Sequence, residues 1–121
     1  MRNVLVTGGA GFIGSTLTRG LVAEPEVERV AVFDCFSTGK RENLAEAASR
    51  IEVIDGDIRD AEALRAAFQG VDTVFHLAAV ASVPHSIDEP DYAHEVNLDG
   101  TFRVLRAAVD RGVKRVVFAA S

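Results

Sequence analysis

Short apolar runs alternate along this chain with longer stretches in which apolar residues recur every three or four positions. The runs Asn3 to Thr7 (NVLVT), Arg29 to Asp34 (RVAVFD), Ile51 to Asp57 (IEVIDGD), Asp72 to Ala79 (DTVFHLAA) and Lys114 to Ala120 (KRVVFAA) read as five strands. They are near-continuous in apolar character, the kind covered on both faces. Phe12, Ile13, Leu17, Leu21 and Val22 fall at helical spacing over Gly11 to Ala23, and Pro25 ends that helix. Cys35 to Asn43 (CFSTGKREN) is a polar loop, followed by a short helix over Leu44 to Ser49. Asp60 is placed to cap a helix over Ala61 to Phe68, which Gly70 closes. Val80 to Pro90 (VASVPHSIDEP) reads as a loop in which Pro84 and Pro90 block regular structure. A long helix then runs from Pro90 to Arg111, and Gly112 stops it.

The resulting order, βαβαβαβαβ, predicts an α/β fold: one doubly wound parallel sheet with helices on both faces. Right-handed crossovers and a glycine loop after the first strand favour the strand order 3-2-1-4-5. Without a linker, repeat or low-complexity segment, residues 1–121 form one domain.

Composition narrows the function classes. The net charge is −5 with both signs spread along the chain, so nucleic acid and anionic membranes are not expected partners. No apolar run is long enough to span a bilayer. The single cysteine, Cys35, has no internal disulfide partner, in accord with a reducing cytoplasm. No His, Cys or acidic residues stand at metal-ligand spacing, so no metal site is expected.

Candidate chemistry starts at Leu5 to Thr16 (LVTGGAGFIGST). Gly9, Gly11 and Gly14 fit G-x-G-x-x-G, and Gly8, Gly11 and Gly14 fit G-x-x-G-x-x-G. The first glycine permits a tight turn out of the strand. The middle one admits a pyrophosphate close to the backbone, and Gly14 lets the helix pack on the sheet. A diphosphate there meets the unpaired N–H groups and positive dipole end of the helix. Asp34 ends the second strand about 20 residues after Gly14, the place of a carboxylate that accepts from an adenosine ribose. That carboxylate would repel the extra phosphate of NADP, so NAD is the expected cofactor. No Gly-Lys-Ser/Thr follows the glycines, which excludes a P-loop. The expected fold is therefore of Rossmann type.

In order, TGGAGFIGS, DCFSTGK, GDIRD, HLAAVASVPHS, NLDGT and VVFAAS make the whole chain resemble the N-terminal, NAD-binding part of extended short-chain dehydrogenase/reductases. It is most similar to nucleotide-sugar 4-epimerases acting on UDP-glucose or UDP-N-acetylglucosamine. The resemblance implies a UDP-sugar substrate, a place in galactose metabolism, and roles residue by residue. Phe12 and Ile13 would lend backbone N–H groups to the pyrophosphate. Ser37, Thr38 and Gly39 would lie near the ribose or phosphates. Asp57 would hydrogen-bond the adenine and Ile58 would pack on it. Leu77, Ala78, Ala79 and Val80 would line the nicotinamide side. Asn97 would support that framework from inside the long helix. Ser82 would touch the sugar, and Ser121 would be the catalytic hydroxyl.

The remaining conspicuous residues take plainer roles. His76 is assigned to local hydrogen bonds, His85 and His94 to the surface, Cys35 to packing, and Lys40, Arg41 and Glu42 to a solvated loop. Phe102, Leu105 and Val109 belong to core or interface.

The resemblance also implies a Tyr-x-x-x-Lys pair, in which lysine lowers the pKa of a proton-transferring tyrosine. Here the one tyrosine, Tyr92, is followed four residues later by Val96. The expectation is therefore a piece of a longer enzyme, truncated before the catalytic helix, that binds NAD weakly and turns nothing over. An unpaired fifth strand and the long helix would favour a homodimer or swapped self-association. Three alternatives stand beside the epimerase. One is a sugar-nucleotide dehydratase, decarboxylase or other reductase of the superfamily. The others are a non-catalytic dinucleotide sensor and a structural fragment.

Overall fold

The first strand, β1 (Asn3–Thr7), buries both of its faces. Leu5 joins a cluster on one side of the sheet, with Ala31, Phe33, Leu64, Phe68, Val74 and Val104. Val4 and Val6 join Leu21 and Val30 on the other. Alternate side chains point to opposite faces, so a strand covered twice must be apolar at nearly every position.

The computed structural model describes residues 1–119. Besides β1, the sheet contains β2 (Arg29–Asp34), β3 (Glu52–Asp55), β4 (Thr73–His76) and β5 (Arg115–Phe118). All pairings are parallel, in the order β3-β2-β1-β4-β5. Helix α1 (Phe12–Ala23) and a 3-10 helix (Arg41–Arg50) cover one face, while α2 (Ala61–Ala67) and α5 (Gly100–Asp110) cover the other. This is the expected doubly wound architecture. The chain leaves β1 toward β2 and β3 on one side, then crosses to β4 and β5 on the other. That reversal opens a crevice at the carboxyl ends of β1 and β4.

Local signals explain most boundaries. Asp60 accepts from the N–H groups of Glu62 (3.1 Å) and Ala63 (3.2 Å) and starts α2. Gly70 and Gly112 turn with φ of 78° and 70° after α2 and α5. Glu24, the residue before Pro25, is extended and ends α1.

Four expectations need correction. The Val80–Pro90 segment is not all loop, because α3 (Val83–Asp88) forms inside it. Pro84 sits in the first turn, where its missing N–H costs nothing, and the Ser82 hydroxyl accepts from His85 N–H at 3.3 Å. The long helix is α4 (Pro90–His94), a π-helical turn (Glu95–Asp99) and α5 in succession. The helix expected over Leu44 to Ser49 begins earlier, at Arg41, and is 3-10. Arg41 is not merely solvated, since it stacks 4.2 Å from the Phe36 ring and pairs with Asp55. Phe12 and Ile13, which open α1, are 87% and 69% exposed.

Candidate functional site

The turn between β1 and α1 is built around two glycines, Gly8 and Gly14, at which a Cβ would run into the backbone. Gly8 has φ of 72°, and a Cβ there would lie 2.7 Å from Ala78 N, where the chain beyond β4 crosses. A Cβ on Gly14 would strike the Gly8 carbonyl oxygen at 2.1 Å. Gly14 therefore seats the helix on the loop itself rather than on the sheet, a correction to the expected role. Gly11 differs. A Cβ there would meet nothing closer than 3.4 Å, so internal packing does not demand a glycine. The space its hydrogen leaves faces the crevice. Gly11 caps α1 without a side-chain acceptor, and no acidic residue occupies the first turn. Helix geometry leaves the N–H groups of Phe12, Ile13 and Gly14 without intrahelical partners. This cradle fits a diphosphate.

Asp34 closes the cradle from the end of β2. It is 8% exposed. Its Oδ2 accepts from Ala10 N–H at 2.9 Å and its Oδ1 from Phe36 N–H at 2.8 Å. A carboxylate has about four acceptor directions, so roughly two remain for ribose hydroxyls. Phe36 adopts φ of 60° to deliver its N–H, a strain on the order of 1–2 kcal/mol for a bulky residue. Cys35, expected to pack, is exposed at this rim.

At the end of β4 a chain of hydrogen bonds sets the opposite wall. Thr7 Oγ1 accepts from Leu77 and Ala78 N–H at 3.1 and 3.2 Å. Its own proton is therefore free to go to His76 Nδ1, 2.6 Å away. His76 must then carry its hydrogen on Nε2 and donate to Thr101 Oγ1 at 3.0 Å, and Thr101 donates to the Asn97 carbonyl at 2.7 Å. Burial lowers the His76 pKa to about 4, so the ring is neutral. Asn97 completes the wall: its Oδ1 accepts from Val80 N–H (2.7 Å) and its Nδ2 donates to Val80 C=O (3.0 Å). His76 thus fills the structural role expected of it.

On the third side, Arg59 grips both Asp57 oxygens, with Nη2 2.8 Å from Oδ2. That hydrogen bonding, above all, holds the Asp57 carboxyl below the usual carboxylate range. Ile58 is buried beside Phe33 and the helical layer.

Together these walls enclose a cavity of roughly 570 Å³. It is lined by Gly8, Gly11, Phe12, Ile13, Gly14, Asp34, Ser37, Thr38 and Gly39, by Asp57 and Ile58, and by Leu77, Ala78, Ala79, Val80 and Ser82. Exposed Phe12 and Ile13 are thus crevice residues. Asn97 acts from behind, through Val80. Ser121 lies outside the described residues. His85, Tyr92 and Val96 also line the cavity and were not anticipated. His85 and Tyr92 stack with centroids 5.6 Å apart, a contact invisible until α3 and α4 are known to exist. Thr7, Arg59 and Thr101 were likewise missed as site-builders, although all three lie within motifs singled out from the sequence.

Comparison with known proteins places this geometry in context. The profile of the NAD dependent epimerase/dehydratase family matches residues 4–121. The UDP-glucose 4-epimerase of Mycolicibacterium smegmatis is 44% identical over 121 residues, covering 97% of this chain and 38% of that protein. The dTDP-glucose 4,6-dehydratase of Mycobacterium tuberculosis is 38% identical over 112 residues, covering 92% of this chain and 34% of that one. The crystal structure of Thermus thermophilus UDP-glucose 4-epimerase complexed with NAD superposes with a TM-score of 0.89 at 43% identity, covering 100% of this chain and 38% of that one. The chain thus spans little more than a third of the length of these relatives.

Proposed function

This chain belongs to the NAD dependent epimerase/dehydratase family, and we propose that it is the NAD-binding region of a nucleotide-sugar 4-epimerase of the UDP-glucose type. The observation that carries the reading is the pairing of an open helix N-terminus at Gly11 with the buried Asp34 carboxylate across one crevice. When bound, NAD supplies a hydride acceptor and donor beside the sugar carbon. The chain's own residues bind and orient. Phe12, Ile13 and Gly14 offer N–H groups to the diphosphate, and Asp34 holds the adenosine ribose, with Ser37, Thr38 and Gly39 beside it. Asp57 and Ile58 flank the adenine. Leu77 to Val80, held by Thr7 and Asn97, line the nicotinamide side. Ser82 stands toward the UDP-sugar, and Ser121 is the catalytic hydroxyl. Residues 1–121 hold no tyrosine followed four positions on by lysine, so by themselves they do not supply the proton-transferring pair. We further place the protein in the cytoplasm. A dTDP-sugar 4,6-dehydratase is the second reading, favoured by the mycobacterial likeness.

The test is calorimetry with NAD and NADP on the purified chain. Like charges in contact cost several kcal/mol, so NADP should bind ~100-fold more weakly than NAD, and Asp34→Ser should close most of that gap. Equal affinity for both dinucleotides, or for neither, overturns the reading.

A further inference from the structure

Arg59 belongs to no catalytic or cofactor assignment above, yet it is among the most heavily constrained side chains on the surface. Its backbone N–H donates to Asp57 Oδ1 at 2.8 Å, its Nε lies 3.1 and 3.2 Å from the two carboxylate oxygens, and its Nη2 donates to Oδ2 at 2.8 Å. From the helical side, two further contacts hold the guanidinium and a third holds the Arg59 backbone. Nη1 donates to Glu95 Oε2 at 3.2 Å, in the π-helical turn. The guanidinium lies 5.1 Å from the Tyr92 ring centroid. The Arg59 carbonyl accepts from Arg103 Nε at 3.0 Å.

Fold stability gives little reason for such a cluster. The Arg59, Asp57 and Glu95 side chains are 37%, 36% and 53% exposed, and ion pairs in that range contribute little. What the contacts do accomplish is orientation. An aspartate on an exposed turn would otherwise choose among rotamers, most of them pointing into water. Here Asp57 is tied to a planar fork by three N–H donors of Arg59, which leaves about one acceptor direction on a carboxylate that lines the cavity with Gly56 and Ile58. Tyr92 and Glu95, which hold the fork, belong to the same helical column that carries Asn97.

We propose that Arg59 is a positioning residue, holding the Asp57 carboxylate at the cavity edge as a fixed acceptor for the exocyclic amine of a purine, so that the choice of base depends on a side chain that does not touch it. The inference rests on the proposed binding of NAD. It assigns base discrimination, rather than affinity for the dinucleotide in general, to the Arg59–Glu95–Tyr92 support.

The test compares NAD with nicotinamide hypoxanthine dinucleotide, in which a carbonyl replaces the adenine amine. Both are titrated into the wild-type chain and into Arg59→Lys, Arg59→Gln and Glu95→Gln, with thermal melts confirming the fold of each. Losing a hydrogen bond to a charged acceptor predicts a wild-type preference for NAD of about tenfold or more. In both Arg59 variants the preference should fall to about twofold, and Glu95→Gln should lower it part of the way. A merely structural role would weaken both ligands together and leave their ratio unchanged; that result overturns the proposal. Should the Arg59 variants fail to fold, an unchanged ratio in Glu95→Gln overturns it equally. Wild-type chain that binds both dinucleotides alike refutes the role of Arg59 while leaving the NAD reading intact. Wild-type chain that binds neither removes the NAD reading and this inference with it.

Discussion

Gly11 and Gly14 stand three residues apart and carry opposite burdens. Gly14 is required by the protein itself, because its Cβ would overlap the Gly8 carbonyl oxygen at 2.1 Å. Gly14→Ala should therefore destabilise the fold by about 1–3 kcal/mol, read from denaturant midpoints. Gly11→Ala should leave the melting temperature within a few degrees and weaken NAD by about tenfold or more, since its methyl would fill only the cradle. A Gly11→Ala variant that binds NAD normally would mean the diphosphate does not approach there. His76 offers a second test at this scale. Its pKa falls from 6.5 in the unfolded chain to about 4 in the folded one, because burial opposes the charged ring. Between those values the unfolded chain binds more protons, so stability rises with pH from about 4 to 6.5 and is complete above that window. At ~1.4 kcal/mol per pH unit the whole effect is on the order of 3 kcal/mol. Unfolding curves across this window should show the slope, and His76→Gln should abolish that share of it.

The π-helical turn is where an element, rather than a residue, does the positioning. Glu95–Asp99 interrupts the column between α4 and α5. Such insertions re-aim side chains and recur at functional sites. Asn97 lies within this one and clasps both backbone polar groups of Val80. Asn97→Leu should release Val80, cost on the order of 1–2 kcal/mol, and accelerate amide exchange at Val80 while leaving the β1 amides protected. Unchanged exchange at Val80 would show the clasp to be dispensable. The sequence brought Asn97 forward only through the resemblance that NLDGT carries. It did not reveal the π turn, because apolar periodicity reports which face is buried and is insensitive to one altered turn of hydrogen bonds. For the same reason α3 was hidden. Its residues are all exposed or half-buried, so no apolar stripe advertised it, and Pro84 inside it with Pro90 just beyond it suggested interruption.

Across the whole molecule, the stripe along the long helical column faces outward. Leu98, Phe102, Leu105 and Val109 are 60%, 63%, 48% and 76% exposed, which removes the core from the two roles expected of Phe102, Leu105 and Val109. We propose that the stripe is one half of a homodimer contact, since contiguous exposed apolar strips mark interaction surfaces. Sedimentation at rising concentration should show a monomer–dimer equilibrium, and Phe102→Lys with Leu105→Lys should hold the chain monomeric. A wild-type chain that stays monomeric at high concentration would refute this. The β5 edge, where Val117 and Phe118 are 41% and 55% exposed, is the second apolar surface, and self-association surviving the double substitution would point there.

The sequence by itself determined the parallel sheet, its order, the glycine cradle and the acidic partner of that cradle. Each rests on a short-range rule: near-continuous apolar runs alternating with helical stretches, a strand–glycine–helix junction, a carboxylate ending the next strand. Only the tertiary structure decided which glycine serves the protein and which serves a ligand, because that depends on whose atoms occupy the space a Cβ would take. It alone joined Thr7, His76, Thr101, Asn97 and Val80 into one hydrogen-bonded wall, and Arg59 to Asp57 and Glu95 at the other. These partners stand up to 71 positions apart, for Thr7 and Ala78. No local pattern records such distances, and they close only when the crossover brings β4 beside β1.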